Sequence, residues 1–208
     1  TAGSEDGLLH LRTVSAGTLA RRVDIGAGMY MYGATGGDQG AGTINATQFY
    51  QNGVALANIA KIISVTASTP YKTNAALSVV IPEDNTIPTL TEGTQILTVT
   101  TSTTTNTQKI RLQYCGQGYT DGNTSYIAAL NDGSTTIAAT LARGDNSIAY
   151  TPVPITIDHI YSPAAVGTYT FNIRVGASSG SVYMNGTPSG RLFGGVMECT
   201  LIATVYEP

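Results

Sequence analysis

The sequence predicts an all-β protein: a short-stranded, interwound neck followed by a β-sandwich head of the jelly-roll type. Three observations carry that expectation. Only 11% of the 208 residues are charged, 42% are hydrophobic and 24 are glycine, where an ordinary globular chain carries about 25% charged residues. Threonine, valine, isoleucine and tyrosine supply the β-branched and aromatic side chains that suit a pleated sheet, and glycine supplies its turns. Apolar residues recur at every second position over much of the chain, the period of a half-buried strand, and no stretch has the period of a long helix.

Residues 1–58 read as the neck. Leu8-Leu9-His10-Leu11-Arg12-Thr13-Val14 is the first apolar stretch. Next, 18–25 alternates, with Leu19, Val23 and Ile25 on one side, and Met29-Tyr30-Met31-Tyr32 follows a Gly26-Ala27-Gly28 break. Glycine is dense through 33–46, where the backbone must turn sharply or approach closely. The neck closes on an Asn52-Gly53 turn signal. Strands this short leave edges and apolar faces that need partners. Three copies around one axis would supply them.

Residues 59–208 read as the head. Leu77, Val79 and Ile81 share a face, as do Ile110, Leu112 and Tyr114. Tyr169, Phe171, Ile173 and Val175 alternate with Thr170, Asn172 and Arg174. The last strand sets Met197, Cys199, Leu201, Ala203 and Val205 against Glu198, Thr200, Ile202 and Thr204. Residues 100–107, mostly threonine, look like a strand end running into a loop. Roughly eight to ten strands with Gly, Pro, Asn or Asp turns point to a sandwich, and to a jelly roll among sandwiches.

Composition also limits function. A net charge of −3 with scattered basic residues gives no footprint for nucleic acid. No apolar run approaches the roughly 20 residues of a membrane span, so no membrane insertion is expected. No signal peptide is visible. The chain starts at Thr1 without Met and reads as a piece of something longer. Cys115 and Cys199, the only two cysteines, read as buried free thiols, with a single bridge as the alternative.

Two stretches resemble a known family. Ala34-Thr35-Gly36-Gly37-Asp38-Gln39-Gly40-Ala41-Gly42-Thr43-Ile44-Asn45-Ala46 is similar to a segment just before the distal domain of many tail-fibre and tail-spike proteins of tailed bacteriophages. Arg191-Leu192-Phe193-Gly194-Gly195-Val196-Met197 and the apolar strand after it resemble the ending of such fibres. The resemblance spans nearly the whole chain. It implies a homotrimer at the tip of a virion tail fibre, with a head like the tumour-necrosis-factor and adenovirus-knob trimers, contacting a bacterial surface. Assembly in a reducing cytoplasm would also favour free thiols.

No enzyme is expected. Cleaving a polysaccharide typically takes two carboxylates about 5–10 Å apart. Glu83, Asp84, Glu92, Asp121, Asp132, Asp145 and Asp158 are the candidates, and most stand in turn sequences that explain them without chemistry. His10 and His159 make no metal spacing, no cofactor motif is present, and Asp158 and His159, adjacent on a strand, point to opposite faces. The Asn45, Asn123 and Asn185 glycosylation triplets read as chance matches. A binding head instead needs aromatic and amide side chains on loops, and 12 tyrosines are available. The candidate receptor contacts are Tyr119, Asp121, Asn123 and Tyr126 in loop 117–126, then Tyr161 and Asn185. The expected ligand is a bacterial surface carbohydrate or glycan-bearing receptor. A purely structural trimerisation tip is the alternative, and a polysaccharide depolymerase a more distant one.

Overall fold

The computed structural model describes the backbone of the strands between Leu9 and Ala55 and all of residues 61–120, 124–143 and 152–208. The chain divides into two compact units, Thr1–Ile59 and Ala60–Pro208. In the first, β1 (Leu9–Ser15), β2 (Thr18–Ile25), β3 (Met29–Met31) and β4 (Ile44–Asn45) form one sheet in that order. The pairs are antiparallel except β3 with β4, and a bulge falls between Leu11 and Arg12. A second pair, β5 (Tyr50–Gln51) and β6 (Val54–Ala55), matches Gln51 with Val54 across the Asn52-Gly53 step. The glycine-rich stretch 33–46 lies outside the described residues apart from β4.

The second unit is a β-sandwich. Its strands are β7 (Lys61–Ala67), β8 (Ala76–Leu77), β9 (Thr94–Ser102), β10 (Lys109–Thr120), β11 (Ser125–Asn131), β12 (Thr136–Arg143), β13 (Val153–Tyr161), β14 (Thr168–Ala177), β15 (Val182–Met184), β16 (Gly186–Thr187), β17 (Gly190–Arg191) and β18 (Thr200–Glu207). One sheet places β10 centrally. β13 lines one side of it, while β18 and then β15 line the other, with β7 beyond β18 and β8 beyond β15. The other sheet runs β12-β11-β14-β9. Every pairing within these two sheets is antiparallel.

Period-two alternation builds the core between the sheets. β10 turns Ile110, Leu112 and Tyr114 inward, β13 adds Ile155 and Ile157, and β18 adds Leu201, Ala203 and Val205. They meet Leu97 and Val99 of β9, Ala128 and Leu130 of β11, and Phe171, Ile173 and Val175 of β14. Each large apolar side chain so buried contributes about 1.5–3 kcal/mol.

One polar network runs through this core. The Tyr114 and Tyr126 hydroxyls lie 2.7 Å apart, both buried. The Cys199 thiol donates to Asn185 Oδ1 at 3.4 Å, and Asn185 Nδ2 donates to the Tyr71 carbonyl at 2.8 Å. Burial, then the nearby Tyr126 and Cys199, pushes the Tyr114 phenol well above its ordinary value. Burial likewise raises the Cys199 thiol. Tyr114 fits because position 116 has no side chain. A Cβ there would lie 2.0 Å from the Tyr114 hydroxyl.

Two local expectations are corrected. Residues 78–93 carry an alternating pattern but form no strand. They cross the outer side of the β12-β11-β14-β9 sheet as a strap, burying Ile81 against Ile127 and Ala129 of β11. Cys115 is exposed and Cys199 is buried, both as free thiols.

Candidate functional site

The expected receptor loop 117–126 is mostly strand. β10 continues to Thr120 and β11 begins at Ser125. Tyr126 therefore points into the core, is fully buried and cannot touch a receptor. Asn185 is also fully buried. It adopts a left-handed backbone (φ 56°), and its amide ties β15 to the 71–73 segment. Tyr161 ends β13 and packs edge-on against Phe171 and Tyr169, at 5.1 and 5.7 Å between ring centres, so it belongs to the rim of the core. Tyr119 is half-exposed and faces Tyr183 across the β10–β15 pair, with ring centres 6.2 Å apart. Asp121 and Asn123 lie outside the described residues. Of the four described candidates, Tyr126 and Asn185 are buried, while Tyr119 and Tyr161 are half-buried, each beside another aromatic ring.

The described carboxylates are engaged in structure. Asp84 accepts from the Thr86 amide at 2.7 Å, and Asp132 from the Ser134 and Thr135 amides at 3.0 and 2.9 Å, both in turns. Glu92 accepts from the Thr89 amide at 2.8 Å. Glu83 accepts from the Ser125 hydroxyl at 2.7 Å and pairs with Arg143 at 2.6 Å, and those two hydrogen bonds hold its carboxyl below the ordinary range. Asp158 pairs with Arg111, which lowers its pKa mainly through that hydrogen bond. No group of three or more metal-ligating side chains occurs among the described residues.

A different element stands out on the surface. Residues 191–196 form a tight loop whose Phe193 and Val196 are 77% and 75% exposed. Three consecutive residues are left-handed: Phe193 at φ 47°, Gly194 at 62° and Gly195 at 86°. For phenylalanine that conformation costs on the order of 1–3 kcal/mol and persists only where the surroundings enforce it. Here the Arg191 guanidinium donates to the carbonyls of Lys72 and Gly195 at 2.7 and 2.8 Å. A Cβ at position 195 would sit 2.5 Å from the Arg191 Cζ, so the glycine is what lets the clamp close. The Gly195 amide donates to the Leu192 carbonyl at 2.9 Å, completing the turn. At its base Lys72 pairs with Glu198 at 3.1 Å. The result is a pre-shaped apolar tip on a polar collar.

In the sequence this loop is marked only by an aromatic residue followed by two glycines, Phe193-Gly194-Gly195; the clamp that exposes it comes from the distant contact of Arg191 with the Lys72 carbonyl.

No protein-family model and no curated protein matches the chain. Among solved structures it is similar to dimeric latent PorU from Porphyromonas gingivalis, with 10% identity and a TM-score of 0.35, over 79% of this chain. That match spans 15% of the PorU chain. A likeness at this level bears on neither family nor function.

Proposed function

We propose that this chain is the distal, receptor-facing piece of a tailed-phage tail fibre. It works as a homotrimer on the virion and binds a bacterial surface glycan or glycan-bearing receptor without cutting it. The observation that carries the reading is the pre-shaped loop at residues 191–196. It presents Phe193 and Val196 to solvent at a conformational cost, in the same residues that resemble the fibre ending. Exposed aromatic anchors held rigid before contact are the features that concentrate binding energy. Three such heads on one axis raise the effective affinity of weak single sites.

The strand order supports a jelly-roll head. Its eight long strands divide as β7-β18-β10-β13 and β12-β11-β14-β9, and the chain passes repeatedly from one sheet to the other, as in paired Greek keys.

The test is a Phe193→Ser, Val196→Ser double variant. It is expected to retain its circular dichroism and assembly while losing binding to susceptible bacterial cells. Undiminished binding overturns the loop's role. Release of reducing sugar ends by the parent protein overturns binding without cleavage. The purely structural tip is favoured by one observation, the hydroxyl-coated outer side of β9 and β14, where Thr100 meets Thr170 and Ser102 meets Thr168. A parent trimer that binds no susceptible cells would select that reading.

A further inference from the structure

Loop 191–196 holds Phe193 in a strained backbone, and a strained loop relaxes unless its surroundings are fixed. The Arg191 guanidinium restrains it directly, through the carbonyls of Lys72 and Gly195. That grip is only as firm as the Lys72 carbonyl. Lys72 lies in irregular backbone between the Tyr71–Cys199 bridge and β8. A carbonyl there turns with its peptide plane unless the backbone on both sides is held.

We propose that the buried Asn185 is the positioning residue of this loop: it fixes the peptide that Arg191 grips and so keeps the Phe193 tip in shape. What the tip is for rests on reading the loop as the receptor contact. The clamp itself does not. Three sets of contacts carry the assignment.

The first is where the Asn185 amide lands. Its Nδ2 donates to the carbonyls of Tyr71 and Thr73, at 2.8 and 3.4 Å. These residues flank Lys72, so one side chain pins the backbone on both sides of the gripped carbonyl. The backbone bridge between Tyr71 and Cys199, with both bonds at 3.0 Å, holds the Tyr71 side.

The second is how Asn185 is itself held. It is fully buried, and its backbone amide donates to the Gln117 carbonyl of β10 at 3.2 Å. The anchor therefore reaches from the central strand of its sheet. Its left-handed backbone, φ 56°, is one that asparagine adopts more readily than most residues.

The third is that both ends of the loop return to it. Arg191 pairs with Gly186, the residue after Asn185, in the β16–β17 register. Cys199, just beyond Val196 in the chain, donates its thiol to Asn185 Oδ1 at 3.4 Å. Gly186 permits the close approach, since a Cβ there would lie 2.5 Å from the Gly190 carbonyl oxygen and 2.9 Å from the Asn74 side chain. Asn74 in turn donates to the Thr187 carbonyl at 3.2 Å, tying the same two segments together.

The experiment uses the full chain and chymotrypsin, which cuts after aromatic residues. Nicking of a folded protein tracks the population of its open form. Asn185→Gly removes the side chain and keeps a residue that accepts the left-handed backbone. Under native conditions it should be cut between Phe193 and Gly194 about three- to tenfold faster than the parent, the weight of an ordinary hydrogen bond. The bond after Phe171, buried in the core, should stay uncut. Arg191→Ala should show the same acceleration. The double variant should be cut no faster than Arg191→Ala alone, because Asn185 acts through Arg191. A residue that merely stabilises the domain would speed cutting at both sites, and its effect would multiply with that of Arg191→Ala. Either pattern overturns the proposal, as does an Asn185→Gly chain cut at the parent's rate. Should Asn185→Gly not fold, Arg191→Ala decides alone, since Arg191 is exposed and coupling is reciprocal. Hydrogen exchange at the Asn185 side-chain amide, followed by nuclear magnetic resonance, should speed up by a similar factor in that variant. An unchanged rate overturns the assignment. No reading here uses a receptor, so a parent that binds no cells would remove the receptor reading and leave the clamp's result unaffected.

Discussion

The two outer faces of the sandwich are finished differently. Over β12, β11 and β14 the chain lays its own strap. Ile81 is buried on Ile127 and Ala129, Glu83 pairs with Arg143, Thr136 donates to the Pro88 carbonyl at 2.6 Å, and Arg174 donates to the carbonyls of Glu92 and Gly93, each at 2.7 Å. Further along, β9 and β14 meet solvent through paired hydroxyls. On the outer face of β7, β18, β10 and β13 no described segment forms such a strap, and three branched apolar side chains, Ile62, Val65 and Ile160, stand exposed on it among threonines and charged residues. Burying apolar area and satisfying polar groups are requirements that one chain can meet internally or leave to a partner. This domain does the first on one side and leaves the other side open.

The sharpest test of that contrast is a matched pair of truncations. Ile81→Ala should cost about 2–5 kcal/mol in chemical denaturation, as a fully buried side chain is removed and the strap loses its anchor. Ile160→Ala, equally apolar but exposed, should stay within about 0.5 kcal/mol. Equal effects would break the comparison.

Between the faces, Gly116→Ala should cost about 1–3 kcal/mol, because the new methyl meets the Tyr114 hydroxyl and forces the ring from its bond with Tyr126. The same pair predicts an alkaline limit. Burial raises both phenols above the ordinary value, so the folded state disfavours the phenolate. Their stabilising contribution is complete below about pH 10 and is lost as pH rises beyond it. Tyrosinate absorbance and circular dichroism should then change together. Buried tyrosines ionising ahead of unfolding would contradict this.

Smaller effects belong to the exposed coats. Thr100→Ala removes one cross-strand hydroxyl pair and should cost roughly 0.2–1 kcal/mol. The Arg111–Asp158 pair should matter least, since both side chains are about half exposed. Because Arg111 lowers the Asp158 pKa, the pair's contribution is present above about pH 4 and fades as pH falls through the lower folded value. A Thr100→Ala loss exceeding that of Gly116→Ala would reverse the expected ranking of coat and core.

The class of fold was legible in the sequence because alternation is local. Ile110, Leu112 and Tyr114, or Phe171, Ile173 and Val175, need only the two-residue repeat to identify a buried face. What a residue does within a turn or an alternation was not legible. Asn185 and Tyr126 look like loop ligands in one dimension, and only packing shows that β10 and β11 extend far enough to bury Tyr126 and that Asn185 bonds back to the Tyr71 carbonyl. Val79 and Ile81 continue the alternation of Leu77 beyond the end of β8, yet they join no strand, and the segment becomes a strap. Phe193 stood in plain view, but its exposure depends on where Arg191 finds the Lys72 carbonyl, 119 positions away. Local patterns determine which residues tend to be buried. Which face receives a cover, and which loop is clamped open, depends on contacts between residues far apart in the chain, and those exist only once the two sheets have met.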